Sequence, residues 1–169
     1  MAESPFPDVR WGNFDGRLAK ALMRFGATQA GSRIVRALTP MDRRLLSRTK
    51  GKYTVLGPVG APTLLLTTTG AKSGALRTSP LLYCRDGDRL LLVGSNFGQE
   101  HHPAWTGNLR KNPNAMVSMG GRDIAVVATQ LEGDERLRAL DMMIAQVSTY
   151  AAYLKRTDRE IRVFALAAA

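Results

Sequence analysis

Two connections between apolar runs in the second half of this chain are of hairpin length, which favours antiparallel pairing. Tyr53–Leu56, Thr63–Thr69, Thr78–Arg85, Arg89–Ser95, Ala115–Met119 and Asp123–Leu131 are short runs rich in Leu, Val, Thr and Ile, which read as strands. Asp86-Gly87-Asp88 joins two of them and Gly120-Gly121 joins two more. A parallel crossover needs far more chain, so the pairing is antiparallel. Several such strands with exposed edges would invite aggregation, which points to a barrel or a strongly curled sheet. Pro103–Lys111 reads as a helix inserted between strands, with proline at its first turn, and Asp134–Val147 as another; Arg162–Leu166 supplies a last strand. The expected class is α+β, mainly β, with flanking helices.

The amino third has another texture. Leu18, Leu22 and Phe25 recur at helical spacing with Arg17, Lys20 and Arg24 on other faces, the pattern of a basic amphipathic helix. A second helical stretch runs over Gly31–Leu38. Pro40 is expected to interrupt it, and Met41–Arg48 to form a third, with Leu45 and Leu46 inward and Arg43, Arg44 and Arg48 outward. Residues 1–15, with Pro5, Pro7 and no periodicity, read as a flexible arm. At 169 residues and 44% hydrophobic the chain suits one core, divided as an arm and basic helices over 1–37 and a main domain over 38–169.

The net charge is +10, which points to an anionic partner. Residues 1–52 hold 11 basic and 4 acidic side chains, and residues 53–169 hold 13 and 10, so the excess sits at the amino end. A nucleic-acid face, a membrane-surface helix over residues 16–50 and one wall of a pocket for a small polyanion all fit that excess, as does solubility alone. Few aromatics accompany the basic residues, so nucleic acid is not expected. A single cysteine, Cys84, and no HExxH pattern leave no metal set. No run approaches the apolar length of a membrane span and no signal segment is visible, so the expected location is cytoplasmic, with membrane association through the basic helices as the variant.

Two segments carry chemistry. Thr67-Thr68-Thr69-Gly70-Ala71-Lys72-Ser73-Gly74-Ala75-Leu76-Arg77 is a strand running into a loop with two glycines, a lysine, a serine and an arginine. Glycine lets backbone N–H groups turn toward an anion while Lys and Arg supply charge, so the loop reads as an oxyanion cradle. A polar turn between two strands uses the same residues. The P-loop pattern would require glycine at 66 and 71, where Leu66 and Ala71 stand. Downstream lie Gly94-Ser95-Asn96-Phe97-Gly98, His101-His102-Pro103-Ala104-Trp105 and Asn108-Leu109. Amide and small residues ahead of a helix carrying tryptophan suit a planar heterocycle. Trp105 and Leu109, one turn apart, equally suit the core face of that helix.

The order TTTGAKSG, Arg77, SPL, the Asp86-Gly87 turn, GSNFG, HHPAW and NL resembles the deazaflavin-dependent nitroreductase family over roughly residues 38–167. That resemblance implies an FMN-binding-like split β-barrel and the deazaflavin coenzyme F420, with FMN as the alternative cofactor. It further implies hydride transfer to a quinone, an activated enone or lactone, or a nitroaromatic. By the same resemblance Lys72, Ser73, Gly74 and Arg77 bind the anionic tail, and Pro80, Leu81, Gly94, Ser95, Asn96 and Phe97 contact the ring. Trp105 and Asn108 then close the site, and Tyr150 and Tyr153 serve as catalytic hydroxyls. Arg43, Arg44, Arg48 and Lys50 are expected, from charge, to cover an oligoglutamate extension. Leu82 and Val147 stand where relatives often carry tyrosine, which bears on the acceptor class. Ordinary core packing of Tyr150 and Tyr153 is the competing reading, as are a cofactor-binding protein without turnover and a basic membrane or nucleic-acid module. A homodimer is expected by analogy with other split barrels.

Overall fold

The computed structural model describes residues 4–9, 16–58 and 60–169. Two helices lead, α1 over Arg17–Gly26 and α2 over Gln29–Thr49. Thr28 caps α2 by accepting a hydrogen bond from the Gly31 amide at 3.0 Å. A Cβ on Gly31 would stand 1.9 Å from the Phe25 carbonyl oxygen, so only glycine allows α2 to start this close to the end of α1. Helix α1 buries Ala19 and Gly26 and leaves Leu18, Leu22 and Phe25 at 67%, 45% and 44% exposure.

The break expected at Pro40 is absent, and α2 runs through it to Thr49. Proline deletes one backbone donor and crowds the preceding turn, at a cost of about 3 kcal/mol in a helix interior. Tertiary packing outweighs that cost: downstream of Pro40 the helix buries Asp42 and Leu46 against the rest of the fold. The expected boundary between residues 37 and 38 falls inside this helix.

Seven strands follow: β1 Thr63–Thr69, β2 Leu76–Leu82, β3 Cys84–Asp86, β4 Arg89–Val93, β5 Asn114–Met119, β6 Arg122–Leu131 and β7 Val163–Ala168. Three helices punctuate them, α3 Ala104–Lys111, α4 Gly133–Gln146 and α5 Thr149–Leu154. All pairings are antiparallel, in the order β2-β1-β5-β6-β7-β4-β3. The two edge strands, β2 and β3, are consecutive in sequence with only Tyr83 between them. The run expected as one strand therefore splits at Tyr83 and joins both edges, which curls the sheet into a split half-barrel. The Tyr83 amide donates to the Pro62 carbonyl at 3.0 Å, and its carbonyl accepts from Gln146 Nε2 at 2.8 Å.

Residues 53–56 are not a strand. Their donors go to a side chain instead of a ladder: Asp42 Oδ1 accepts from Thr54 Oγ1 and from the Val55 amide, both at 2.8 Å. Nor are residues 4–9 a loose arm. Phe6 is 2% exposed in the core, and the Arg85 guanidinium donates to the Ser4 hydroxyl and to the Phe6 and Pro7 carbonyls. The other residues of the expected arm, 1–3 and 10–15, lie outside the described residues.

Both faces of the sheet are apolar. Leu90 and Leu92 enter one cluster with Leu64, Leu66, Phe164 and Trp105, while Leu91 and Val93 enter another with Leu140, Met143 and Tyr153. Alternation along one strand thus feeds two cores, as expected where each face is covered. The β5–β6 hairpin turns on Gly120 and Gly121, at φ +60° and +81°. Those two amides donate to the carbonyls of Gly51 and Lys50, docking the end of α2 on the sheet.

Helix α4 is pinned to the β3–β4 hairpin through Asp86, which pairs with Arg89 at 2.7 Å and Arg138 at 2.8 Å. Hydrogen bonds from Arg138 and then Arg89 lower the Asp86 pKa from 3.8 to about 2. A carboxylate depressed on folding contributes stability that is complete above its unfolded value and is lost as pH falls toward the folded one. Urea denaturation at a series of pH values should show stability falling between about pH 3.8 and 2, and Asp86→Asn should be less stable at neutral pH with that slope reduced. An unchanged slope in the variant would remove Asp86 from the acid response.

Candidate active site

A cavity of about 310 Å3 opens between the sheet and the helices. Its walls come from α1 and α2, from β2, from the turn after β4, from α3 and from α5. Most of the lining is apolar, an environment that can hold a flat ring away from water. The fold brings Pro80, Leu81, Ser95, Asn96, Phe97, Trp105, Tyr150 and Tyr153 of the sequence-derived set to this one space.

The remaining expected residues sit beside it. Arg77 is three residues before Pro80 on β2, about 10 Å along the strand at the usual rise. The loop before it closes on itself, with the Gly70 amide donating to the Ala75 carbonyl and the Gly74 amide to the Gly70 carbonyl, both at 2.8 Å. Gly74 adopts φ +68°, the left-handed geometry that favours glycine. Ser73 and Arg77 converge over Gly70, where an added Cβ would stand 2.8 Å from Ser73 Oγ and 3.7 Å from Arg77 Cγ. Lys72, Ser73, Gly74 and Arg77 are all exposed, and among the described residues Lys72 and Arg77 make no ion pair.

Asn108 holds this loop in place. Its Oδ1 accepts from the Ala71 amide and its Nδ2 donates to Thr68 Oγ1, each at 2.9 Å, and Lys111 Nζ donates to the Ala71 carbonyl at 2.8 Å. Both ends of the Asn108 amide are thereby committed to the chain. Gly94 lies under the cavity wall, where a Cβ would meet Thr106 Cγ2 at 2.7 Å. Trp105 is 5% exposed, packs edge-on to Phe164 and borders the cavity.

The turn over Asn96–Gly98 carries two non-glycine residues in the left-handed region, Asn96 at φ +48° and Phe97 at +57°. That conformation costs on the order of 1 kcal/mol and persists only where surroundings enforce it. The enforcement comes from two arginines that no sequence motif marked. Arg159 donates to the carbonyls of Gly94, Ser95 and Gln99, and Arg156 to that of Phe97. Arg159 also approaches His102 Nδ1 at 3.1 Å. Burial, then the charges of Arg162, Arg159 and Arg110, push the His102 pKa down, so this imidazole stays neutral.

The two tyrosines differ. Tyr153 donates its hydroxyl to the Gly26 carbonyl at 3.2 Å, and its ring packs edge-on to Phe97 and Tyr150. The Tyr150 hydroxyl makes no hydrogen bond with the chain, yet no side-chain polar atom among the described residues is sealed without a partner, so it opens onto the cavity it lines. Burial, and then Tyr153, raise the Tyr150 pKa, keeping its phenol protonated. The roof over them is α1, fastened through its backbone: Thr149 Oγ1 donates to the Met23 carbonyl, and Arg156 to the Ala27 carbonyl and to Ser32 Oγ. Arg43 borders the cavity, Arg44 and Arg48 face solvent, and Lys50 pairs with Asp123 at 3.2 Å.

The sequence profile of the F420H(2)-dependent quinone reductase family matches residues 34–168. The chain belongs to this family. It is 37% identical over 112 residues to the F420H(2)-dependent quinone reductase Rv1261c of Mycobacterium tuberculosis, covering 64% of this chain and 75% of that protein. The solved F420-H2 dependent reductase FDR-A matches at 37% identity with a TM-score of 0.57, over 62% of this chain and 93% of that one. A structure described as a domain-swapped dimer matches at 34% identity and a TM-score of 0.59, over 76% of this chain and 99% of that one. This family member is an oxidoreductase whose cofactor is coenzyme F420. The structure fits that coenzyme: an apolar cavity borders β2, and further along the same strand stands the Gly70–Arg77 loop with Lys72 and Arg77, two exposed cations that make no ion pair among the described residues.

Proposed function

We propose that the chain catalyses hydride transfer from reduced F420 to a quinone, with activated enones, lactones and nitroaromatics as further acceptors. What supports this reading is an apolar cavity bordered by Tyr150, whose hydroxyl makes no hydrogen bond with the chain, together with the loop at the start of β2, whose exposed Lys72 and Arg77 make no ion pair among the described residues. When bound, reduced F420 supplies a hydride from a ring carbon, so the protein needs no nucleophile of its own. Lys72, Ser73, Gly74 and Arg77 hold the phosphate-bearing tail by charge and hydrogen bonds. Pro80, Leu81, Gly94, Ser95, Asn96 and Phe97 set the ring plane, with Trp105 behind it and Asn108 fixing the loop. The protonated Tyr150 hydroxyl donates a hydrogen bond to the acceptor oxygen where negative charge develops. Tyr153 supports it by holding α1 and the Phe97 turn.

Fluorescence titration with F420 and FMN is the direct test of the cofactor site, and Lys72→Ala and Arg77→Ala should each weaken F420 binding by about 1 to 3 kcal/mol. Unchanged curves in both variants would place the tail elsewhere. Oxidation of reduced F420 by a quinone separates turnover from storage, since a binding protein without catalysis leaves the coenzyme reduced. Tyr150→Phe should lower kcat about tenfold or more with F420 affinity retained, whereas Tyr153→Phe should mainly lower the melting temperature. Equal kcat in wild type and Tyr150→Phe would reduce Tyr150 to packing.

The reading extends to a bilayer surface. Leu18, Leu22, Phe25, Ile34, Leu38 and Met41 are exposed on α1 and α2 beside arginines and lysines, which supports peripheral contact with anionic lipid by residues 16–50. No helix among the described residues is long and apolar enough to cross a membrane. Co-sedimentation with phosphatidylglycerol vesicles should be strong at low salt and weaken in Leu18→Glu/Phe25→Glu; equal binding by the double variant would exclude this face. The domain-swapped relative supports a homodimer as the assembly.

A further inference from the structure

Among the polar groups that border the cavity, one carboxylate has an oxygen that the chain leaves unused. Asp42 is the only carboxylate among the described residues that line it, and it is 8% exposed. Both hydrogen bonds it accepts, from Thr54 Oγ1 and from the Val55 amide, fall on Oδ1. Oδ2 has neither a hydrogen bond nor an ion pair among the described residues, it is not sealed from solvent, and the residue that carries it borders the cavity. An asparagine would hold Thr54 and Val55 equally well through its carbonyl oxygen. The second carboxylate oxygen is surplus to the local fold.

We propose that Asp42 is a specificity-determining residue of the acceptor pocket, its Oδ2 accepting a hydrogen bond from a hydroxyl or N–H on the bound hydride acceptor. The proposal deepens the hydride-transfer reading and rests on it. A carboxylate oxygen offers only lone pairs, so it disfavours a carbonyl or ether oxygen placed opposite and favours a donor. Tyr150 offers the reverse, a donor that seeks a carbonyl. An acceptor with a carbonyl at one edge and a hydroxyl at the other satisfies both, while a simple quinone or an ether uses the Tyr150 hydroxyl alone and gains nothing from Asp42. The pocket therefore favours hydroxyl-bearing members among quinones, unsaturated ketones and lactones.

The matched probes are umbelliferone, which carries a phenolic hydroxyl, and its methyl ether, which carries none. Calorimetric titration of the full chain at mildly acidic pH, with and without F420, should show umbelliferone binding about tenfold tighter than the ether. Asp42→Asn keeps the oxygen that Thr54 and Val55 use and replaces the other by a donor, so it should abolish or reverse that preference while the dissociation constant for F420 stays put. Thr54→Val removes a bond to Oδ1 only; it should lower the melting temperature and retain the preference. Equal binding of the two probes by wild type, or failure of either to bind, overturns the proposal without need of any variant. So does parallel weakening of both probes in Asp42→Asn, or a loss of F420 affinity with the probe preference intact. Failure of the hydride-transfer reading shows separately, as reduced F420 left unoxidised by a quinone, and does not enter the calorimetry.

Discussion

Tyr83 stands between the two edges of the sheet, and the architecture follows from that position. Because β2 pairs with β1 and β3 pairs with β4 at the far end of the strand order, the backbone must turn out of one ladder and into the other within a single residue. The amide and carbonyl of Tyr83 leave both ladders and are satisfied by Pro62 and Gln146. The curl that results is what makes a concave wall available. Ser79, Pro80, Leu81 and Leu82 approach the corner on one side and Val93 on the other, and all five border the cavity.

The cavity is closed by elements remote in sequence, and their fastening is mostly main-chain chemistry. Arg156 and Arg159 spend their guanidinium groups on carbonyl oxygens of the Gly94–Gln99 turn and of the α1–α2 junction. Part of the positive charge of this chain is therefore structural. Lys72 and Arg77 form the contrasting class: exposed, without acidic partners among the described residues, and placed over a glycine turn. Burial and hydrogen bonding, more than net charge, separate the cations that build the fold from those available to an anion.

What the sequence revealed and what it hid have physical causes. The sequence marks strand β1 to the residue and the turn-side ends of the two hairpins within one, because Thr63–Thr69 is a bounded apolar run and glycine turns set register locally. The Gly70–Arg77 loop and the Gly94–Trp105 segment were legible because their residue order matches a family. Long-range packing decided the rest. Pro40 did not stop α2 because buried Asp42 and Leu46 hold the helix beyond it, and residues 53–56 were drawn from strand to turn by Asp42. Phe6 was hidden in a stretch that looked like an arm, since one aromatic has no period. Asp42, Arg156 and Arg159 belong to no motif, so their roles emerge only once α2, α5 and the Gly94 turn are brought together.

The fastening of α1 carries a consequence for how such a pocket diversifies. Thr149, Tyr153 and Arg156 grip the oxygens of Met23, Gly26 and Ala27, atoms every amino acid possesses. Leu22, half exposed at the rim of the cavity, can then be exchanged for other side chains without loosening the ceiling it belongs to. Substitution there remodels the shape offered to a guest molecule at little expense in folding, so the contour of the cavity can drift along this one helix while β2 and the Gly94–Gln99 turn stay unaltered.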